Sequence, residues 1–144
     1  ISGVDSTDRK TSAKLSNNAT LVIKEKLMTD GTETAKTDFT VDLDGENSSA
    51  NVISRSVAKD NSYQLFLSRI NGNNICSGHT ECDAIIMGNG KVSAVPEITA
   101  NHIDASLIHE AAIGKIAGEQ LIKLMTLGLS EQEAEEQIVN GFLK

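Results

Sequence analysis

The stretch NHIDASLIHEAAIGKIAGEQL, Asn101 to Leu121, changes its backbone period part-way along. It opens on the strand-like run HIDASLIHE and ends at helical spacing. A His–Glu pair, His109 and Glu110, sits close to the changeover. The chain on either side of this stretch has a different character, and the fold follows from reading the two sides separately.

Upstream, short runs of alternating apolar residues recur, punctuated by turn residues. TLVIKEKL (Thr20 to Leu27) is followed by Asp30-Gly31, and FTVDL (Phe39 to Leu43) by Asp44-Gly45. ANVISRSVA starts at Ala50. YQLFLSRI (Tyr63 to Ile70) runs into Asn71-Gly72, and CDAIIMG (Cys82 to Gly88) into Asn89-Gly90. VSAVPEIT and HIDASLIHE complete the series. Val41 and Leu43 share one face of their run, as do Leu65 and Leu67, which is the period of a strand. The series predicts a mainly β protein. Alternation alone leaves a sandwich, a barrel and a solenoid open, and Asx-Gly pairs also mark hairpins. No exact repeat stands out.

Downstream, Ile116, Leu121, Leu124 and Met125 fall at helical spacing in GKIAGEQLIKLMTLG, with Gly128 as a stop. Ser130 and Glu133 have the spacing of a capping box. Beyond it Ala134, Ile138 and Phe142 recur every four residues, widened by Val139 and Leu143. The spacing predicts a helical hairpin, either a cap on the open end of the sheet or a docking surface. The expected organisation is a polar, loosely ordered lead-in over 1–19, β structure over 20–112 and a helical region over 113–144.

Composition narrows the function. The 144 residues suffice for one domain with a real core. The formal net charge of −7 and an aromatic fraction of 3% argue against nucleic-acid binding, which needs clustered Lys and Arg and stacking rings. No apolar run is long enough to span a membrane and no signal peptide opens the chain. The first residue is Ile1 rather than Met, which leaves open that the chain is a fragment. Two cysteines, Cys76 and Cys82, are too few for a disulfide scaffold and read as reduced thiols of a cytoplasmic protein.

Three candidate chemistries can be tested on spacing. HEAAI lacks the second His that a zincin helix needs, since Ile113 stands there. CSGHTEC, Cys76 to Cys82 with His79 between, does not have a zinc-ribbon spacing and no second Cys pair follows. Cys82, His109 and Glu110 together would suit iron or zinc. Neighbouring strand residues point to opposite faces, so His109 and Glu110 share a site only if the chain bends between them. Neither a Walker A motif, a Gly-x-Gly-x-x-Gly loop nor a Gly-x-Ser-x-Gly elbow is present, so ATP binding by this chain is not expected. A solenoid carbohydrate enzyme is disfavoured by the low aromatic content.

The segments TECDAIIMGN, AVPEIT, HEAAIGKI and GEQLIKLMTLGLSEQEAEEQIVNGFLK resemble the SufB/SufD family of iron–sulfur cluster assembly proteins. The resemblance is close from Cys82 onward and looser from about Phe39. It implies a right-handed parallel β-helix, a single-stranded solenoid, with a C-terminal α-helical hairpin. It also implies a cytoplasmic scaffold rather than an enzyme. ATP hydrolysis would occur in a partner, the ABC-type ATPase SufC, docked on the helical region. A second SufB/SufD-type subunit would pair through the β-helix, as a homo- or heterodimer. In the family the cysteine opening the CD strand is proposed as a cluster or sulfur ligand, and Cys82 stands there. The HEA segment is SufB-like, because the SufD form has Gly after the His. The resemblance therefore makes Cys82 and Glu110 candidate ligands of a transient iron–sulfur cluster, with His109 as a ligand or its neighbour. Full-length SufB carries a further N-terminal region and more β-helix, and Cys76 matches no family cysteine.

Overall fold

The computed structural model describes residues 3–144. Eight strands and two helices follow in chain order: β1 Ser6–Leu15, β2 Thr20–Thr29, β3 Thr34–Leu43, β4 Ser48–Ala58, β5 Tyr63–Gly72, β6 Cys76–Ile86, β7 Lys91–Ala100, β8 Ala105–Lys115, α1 Gly118–Thr126 and α2 Glu131–Phe142. Odd strands form one sheet in the order β1-β3-β5-β7, and even strands the other, β2-β4-β6-β8. Every pairing is parallel. Consecutive strands therefore never pair, which removes the hairpin, barrel and sandwich alternatives. The chain is a β-solenoid of four turns.

One turn takes 28 or 29 residues, as in Ser6 to Thr34 and Thr34 to Tyr63. The repeat lies in burial and corner chemistry rather than in residue identity, so no letter-for-letter repeat is visible. Corners stack on corners. Asn18 and Asn47 both take left-handed backbone, with φ of 61° and 58°, one turn apart. Asp44, Asn73 and Asn101 form a side-chain ladder up one edge, with bonds of 2.6 and 2.7 Å. Gly45 lies so close to the Ser16 backbone that a Cβ has no room. Gly72 is not a corner residue, contrary to its Asn-Gly signature. It ends β5 facing the interior against Ala105 and Cys76.

The interior divides in two. One half is apolar, with Val41, Leu43, Val52 and Ile70 almost wholly buried and Phe39 edge-on to Phe66 at 5.9 Å. Each such side chain contributes about 1.5–3 kcal/mol by leaving water. The other half is polar and hydrogen-bonded. Glu25 is buried there, paired with Arg9 and accepting from the Thr37 and Ser54 hydroxyls at 2.8 Å each. Gln64 donates to Thr29 Oγ1 and to the Val57 carbonyl.

This polar half explains why the start of the chain reads as unstructured. The expected loose lead-in over 1–19 contains strand β1, paired in full register with β3; residues 1 and 2 lie outside the described residues. Its inward positions carry Thr7, Arg9, Thr11 and Ala13, so it bears no strong apolar stripe to read. At the other end β8 runs to Lys115, and α1 begins only at Gly118. Ile116 lies between them rather than on the helix.

The hairpin has the expected signals: the Ser130–Glu133 capping box is formed in both directions, and Gly128 has φ of 95°. α2 buries Ala134 and Val139, and the Lys144 carbonyl accepts from Lys26 Nζ at 2.9 Å. The last turn of the solenoid is left uncovered, with Ile98, Ile103 and Ile108 exposed. The helices are therefore not a cap over that end. Among the described residues no helix is long and apolar enough to cross a membrane.

Candidate functional site

The three residues singled out from the sequence lie on two adjacent strands of one sheet. Cys82 is in β6, and His109 and Glu110 are in β8. No bend occurs at the His-Glu pair, because both residues lie inside β8 in unbroken register with β6. Strand alternation then decides their directions. His109 pairs with Thr80, which is buried, and so faces the interior. Glu110 pairs with Glu81 and faces out. Glu110 is thus separated by the sheet from Cys82, and the three do not converge within one chain.

Cys82 and His109 do share a face. Cys82 pairs with Ala111, two positions beyond His109 on β8. Strand spacing and rise put such diagonal neighbours about 8 Å apart at Cα. Cys82 is 1% exposed and lies in one cross-sheet row with Ser54 and Glu25. It borders a small cavity, also lined by Glu25, Thr37, Ser54 and Gln64. Burial pushes its thiol up to about 11, with the Asp83 charge adding to the effect. At neutral pH it is a protonated thiol, and a metal would have to drive its deprotonation.

His109 has the complementary property. Its Nδ1 is buried without a hydrogen-bond partner among the described residues. Burial, and secondarily the neighbouring His79, lowers its pKa against the opposing pull of Glu110. A neutral imidazole and a thiol are donor types that iron accepts, and here they stand on one face of neighbouring strands.

Cys76 belongs elsewhere. It opens β6, six residues before Cys82 on the same face, so the two thiols are about 20 Å apart along the strand. They cannot hold one ion together. Both cysteines belong to the apolar core cluster, and both thiols are free among the described residues.

On the outer face the sheet assembles a group that sequence spacing did not reveal as a unit. His79 and Glu81 are alternate residues of β6, and Glu110 stands opposite Glu81 on β8. Their ligand atoms all lie within 4.8 Å of one another. His79 Nε2 is 3.2 Å from Glu110 Oε2, and its Nδ1 is 3.2 Å from Asn51 Oδ1 on β4. A contact with Asp83 raises the Glu81 pKa, and burial adds to the shift. The nearest cation to Glu81 is Arg55, at 3.9 Å. The alternation of His79, Glu81 and Asp83 was legible in CSGHTECD; the pairing with Glu110, 29 residues on, was not.

Comparison with known proteins settles the family. The model for the SUF system FeS cluster assembly SufBD core domain matches residues 3–142. The chain belongs to the SufBD family. An iron–sulfur cluster assembly SufBD family protein of Methanocaldococcus jannaschii is 39% identical over 112 residues, which are 77% of this chain and 35% of that protein. One from Archaeoglobus fulgidus is 41% identical over 103 residues, 71% of this chain and 28% of the relative. A Staphylococcus saprophyticus relative is 34% identical over 102 residues, 68% of this chain and 22% of its own length. The chain thus spans between about a fifth and about a third of the length of these SufBD relatives.

Proposed function

We propose that this SufBD solenoid is the cluster-bearing part of a scaffold on which iron–sulfur clusters are assembled. The observation that carries the reading is the shared inner face of Cys82 and His109 at the open last turns, with His109 Nδ1 unpartnered among the described residues. Iron and sulfide are the cargo, and these two side chains are its donors. Glu110 faces away from them and takes part only where a second subunit or a rearrangement brings it round. The chain itself performs no ATP hydrolysis. A SufC-type ATPase docks on the α1–α2 hairpin, where Ile122, Met125 and Leu127 are exposed. A second SufB/SufD-type subunit pairs along the open edges of β7 and β8, which have no further strand beside them among the described residues. The assembly works in the cytoplasm.

The test is anaerobic reconstitution with iron and sulfide in the presence of the ATPase. Cys82→Ser and His109→Ala should each lose most of the visible absorption and bound iron of the parent. Iron content and absorption in both variants equal to the parent's would remove the pair from the site. The second reading is an interaction module that binds no metal, favoured by the buried, protonated state of Cys82. It predicts undiminished ATPase capture by the Cys82→Ser chain and no iron in either protein.

A further inference from the structure

The geometry points to a second metal site, on the outer face of the β2-β4-β6-β8 sheet, where His79 Nε2 and the carboxylates of Glu81 and Glu110 bind one divalent transition-metal ion. The site is separated by the sheet from Cys82 and His109, and it stands whether or not a cluster is built on this chain.

Register supplies the constellation. His79 and Glu81 are alternate residues of β6 and so point the same way. Glu110 faces Glu81 across the β6–β8 ladder. Three ligand atoms within 4.8 Å of one another need only a small closure. Ion–ligand distances of about 2.1 Å put such atoms about 3–4 Å apart.

The imidazole is already oriented as a ligand. Its Nδ1 faces the Asn51 side-chain oxygen at 3.2 Å, a contact that is a hydrogen bond in the tautomer with the hydrogen on Nδ1. In the neutral ring this leaves the Nε2 lone pair toward the site, the outer-shell arrangement that fixes the tautomer of a metal-binding histidine. The Nε2 lone pair then meets Glu110 Oε2 at 3.2 Å. Two acceptors at that distance repel unless a proton or a cation lies between them. When the proton fills that role, metal entry displaces it to solvent, and the ion takes over both the nitrogen and the oxygen.

The clustered negative charge attracts a cation. Asp83 contacts Glu81 on the same face, which gathers three carboxylates, while the nearest guanidinium stays 3.9 Å from Glu81. One nitrogen and two carboxylate oxygens select a borderline ion such as Fe²⁺, Co²⁺ or Zn²⁺ over Mg²⁺, which prefers oxygen alone and keeps its waters. The remaining positions open to solvent beside Ile108, so the ion is exchangeable.

The experiment titrates the 144-residue chain with Zn²⁺ by calorimetry and with Co²⁺ by visible absorption, anaerobically and without sulfide. One equivalent of either ion is expected to bind, with Mg²⁺ failing to compete. His79→Ala and Glu110→Gln should each weaken binding by about tenfold or more, and Glu119→Gln on α1 should leave it unchanged. Asn51→Ala should weaken it by about 10-fold, with Asn51→Asp restoring it, as expected of a positioning residue. Circular dichroism of each variant checks that it folds. No saturable binding would overturn the proposal, as would binding lost in Glu119→Gln but kept in His79→Ala, or binding equal in all variants. Because sulfide is absent, none of these outcomes depends on cluster assembly.

Discussion

His109 and Glu110 are consecutive residues of β8, yet one faces the interior beside Thr80 and the other faces solvent opposite Glu81. One peptide unit thus divides the candidate chemistry of this solenoid between two environments. Inside, the donors are a buried thiol and an uncharged imidazole. Outside, they are carboxylates and a solvent-facing imidazole.

The buried thiol should be slow to react. With a pKa of about 11, Cys82 is about 0.1% thiolate at pH 8, against about a quarter for a free thiol. Alkylation by iodoacetamide, followed by mass spectrometry, should label Cys82 at least a hundredfold faster in urea than in the native chain. Equal rates would mean that β6 opens on the labelling timescale.

The pH dependence of stability tests His109. Its pKa is lowered in the fold, chiefly by burial, so between that lowered value and the unfolded value near 6.5 the unfolded chain binds more protons. Its influence on stability is therefore constant above about pH 6.5 and increasingly unfavourable as pH falls through that window. Urea midpoints at pH 7.5 and 5.5 should differ less in His109→Gln than in the parent. An unchanged difference would place the titrating group elsewhere.

Glu25 anchors the polar half of the interior. Glu25→Ala strands the Thr37 and Ser54 hydroxyls and leaves Arg9 without its partner. Arg9 keeps access to water, so the loss should be about 2 kcal/mol rather than the larger cost of a fully buried pair. Chemical denaturation measures it, and a loss below about 0.5 kcal/mol would show that water replaces the carboxylate.

The open edge should drive association. Ile108 is half exposed on β8, the last strand of its sheet. Ile108→Lys should shift the chain toward monomer in sedimentation velocity without lowering its thermal midpoint, since an edge lysine discourages strand pairing. Identical sedimentation of the two proteins would argue against pairing through this edge.

Much of the fold was legible because local rules and tertiary structure agree. Val41 and Leu43 alternate as read, the Ser130–Glu133 box caps α2, and Gly128 ends the first helix. β1 was missed because STDRKTSAKL faces a polar interior, so its inward residues look like those of a loop. The helix start was read early because Ile116 happens to match the spacing of residues that do belong to α1. The motif CSGHTEC marked the right strand for the wrong reason. Its cysteines are too far apart to cooperate, and its histidine and glutamate matter only through residues 28 and 31 positions away.

What the sequence by itself determined is the inventory: which residues alternate, where corners and caps fall, and that Cys82, His109 and Glu110 lie in the segments that resemble the SufB/SufD family. Only the tertiary structure decided which of them meet. Parallel stacking at 28–29 residues per turn sets the register between β6 and β8, and that register is not encoded in any local spacing. Because side chains alternate across a sheet, it sends His109 inward toward the face of Cys82 and Glu110 outward to His79 and Glu81.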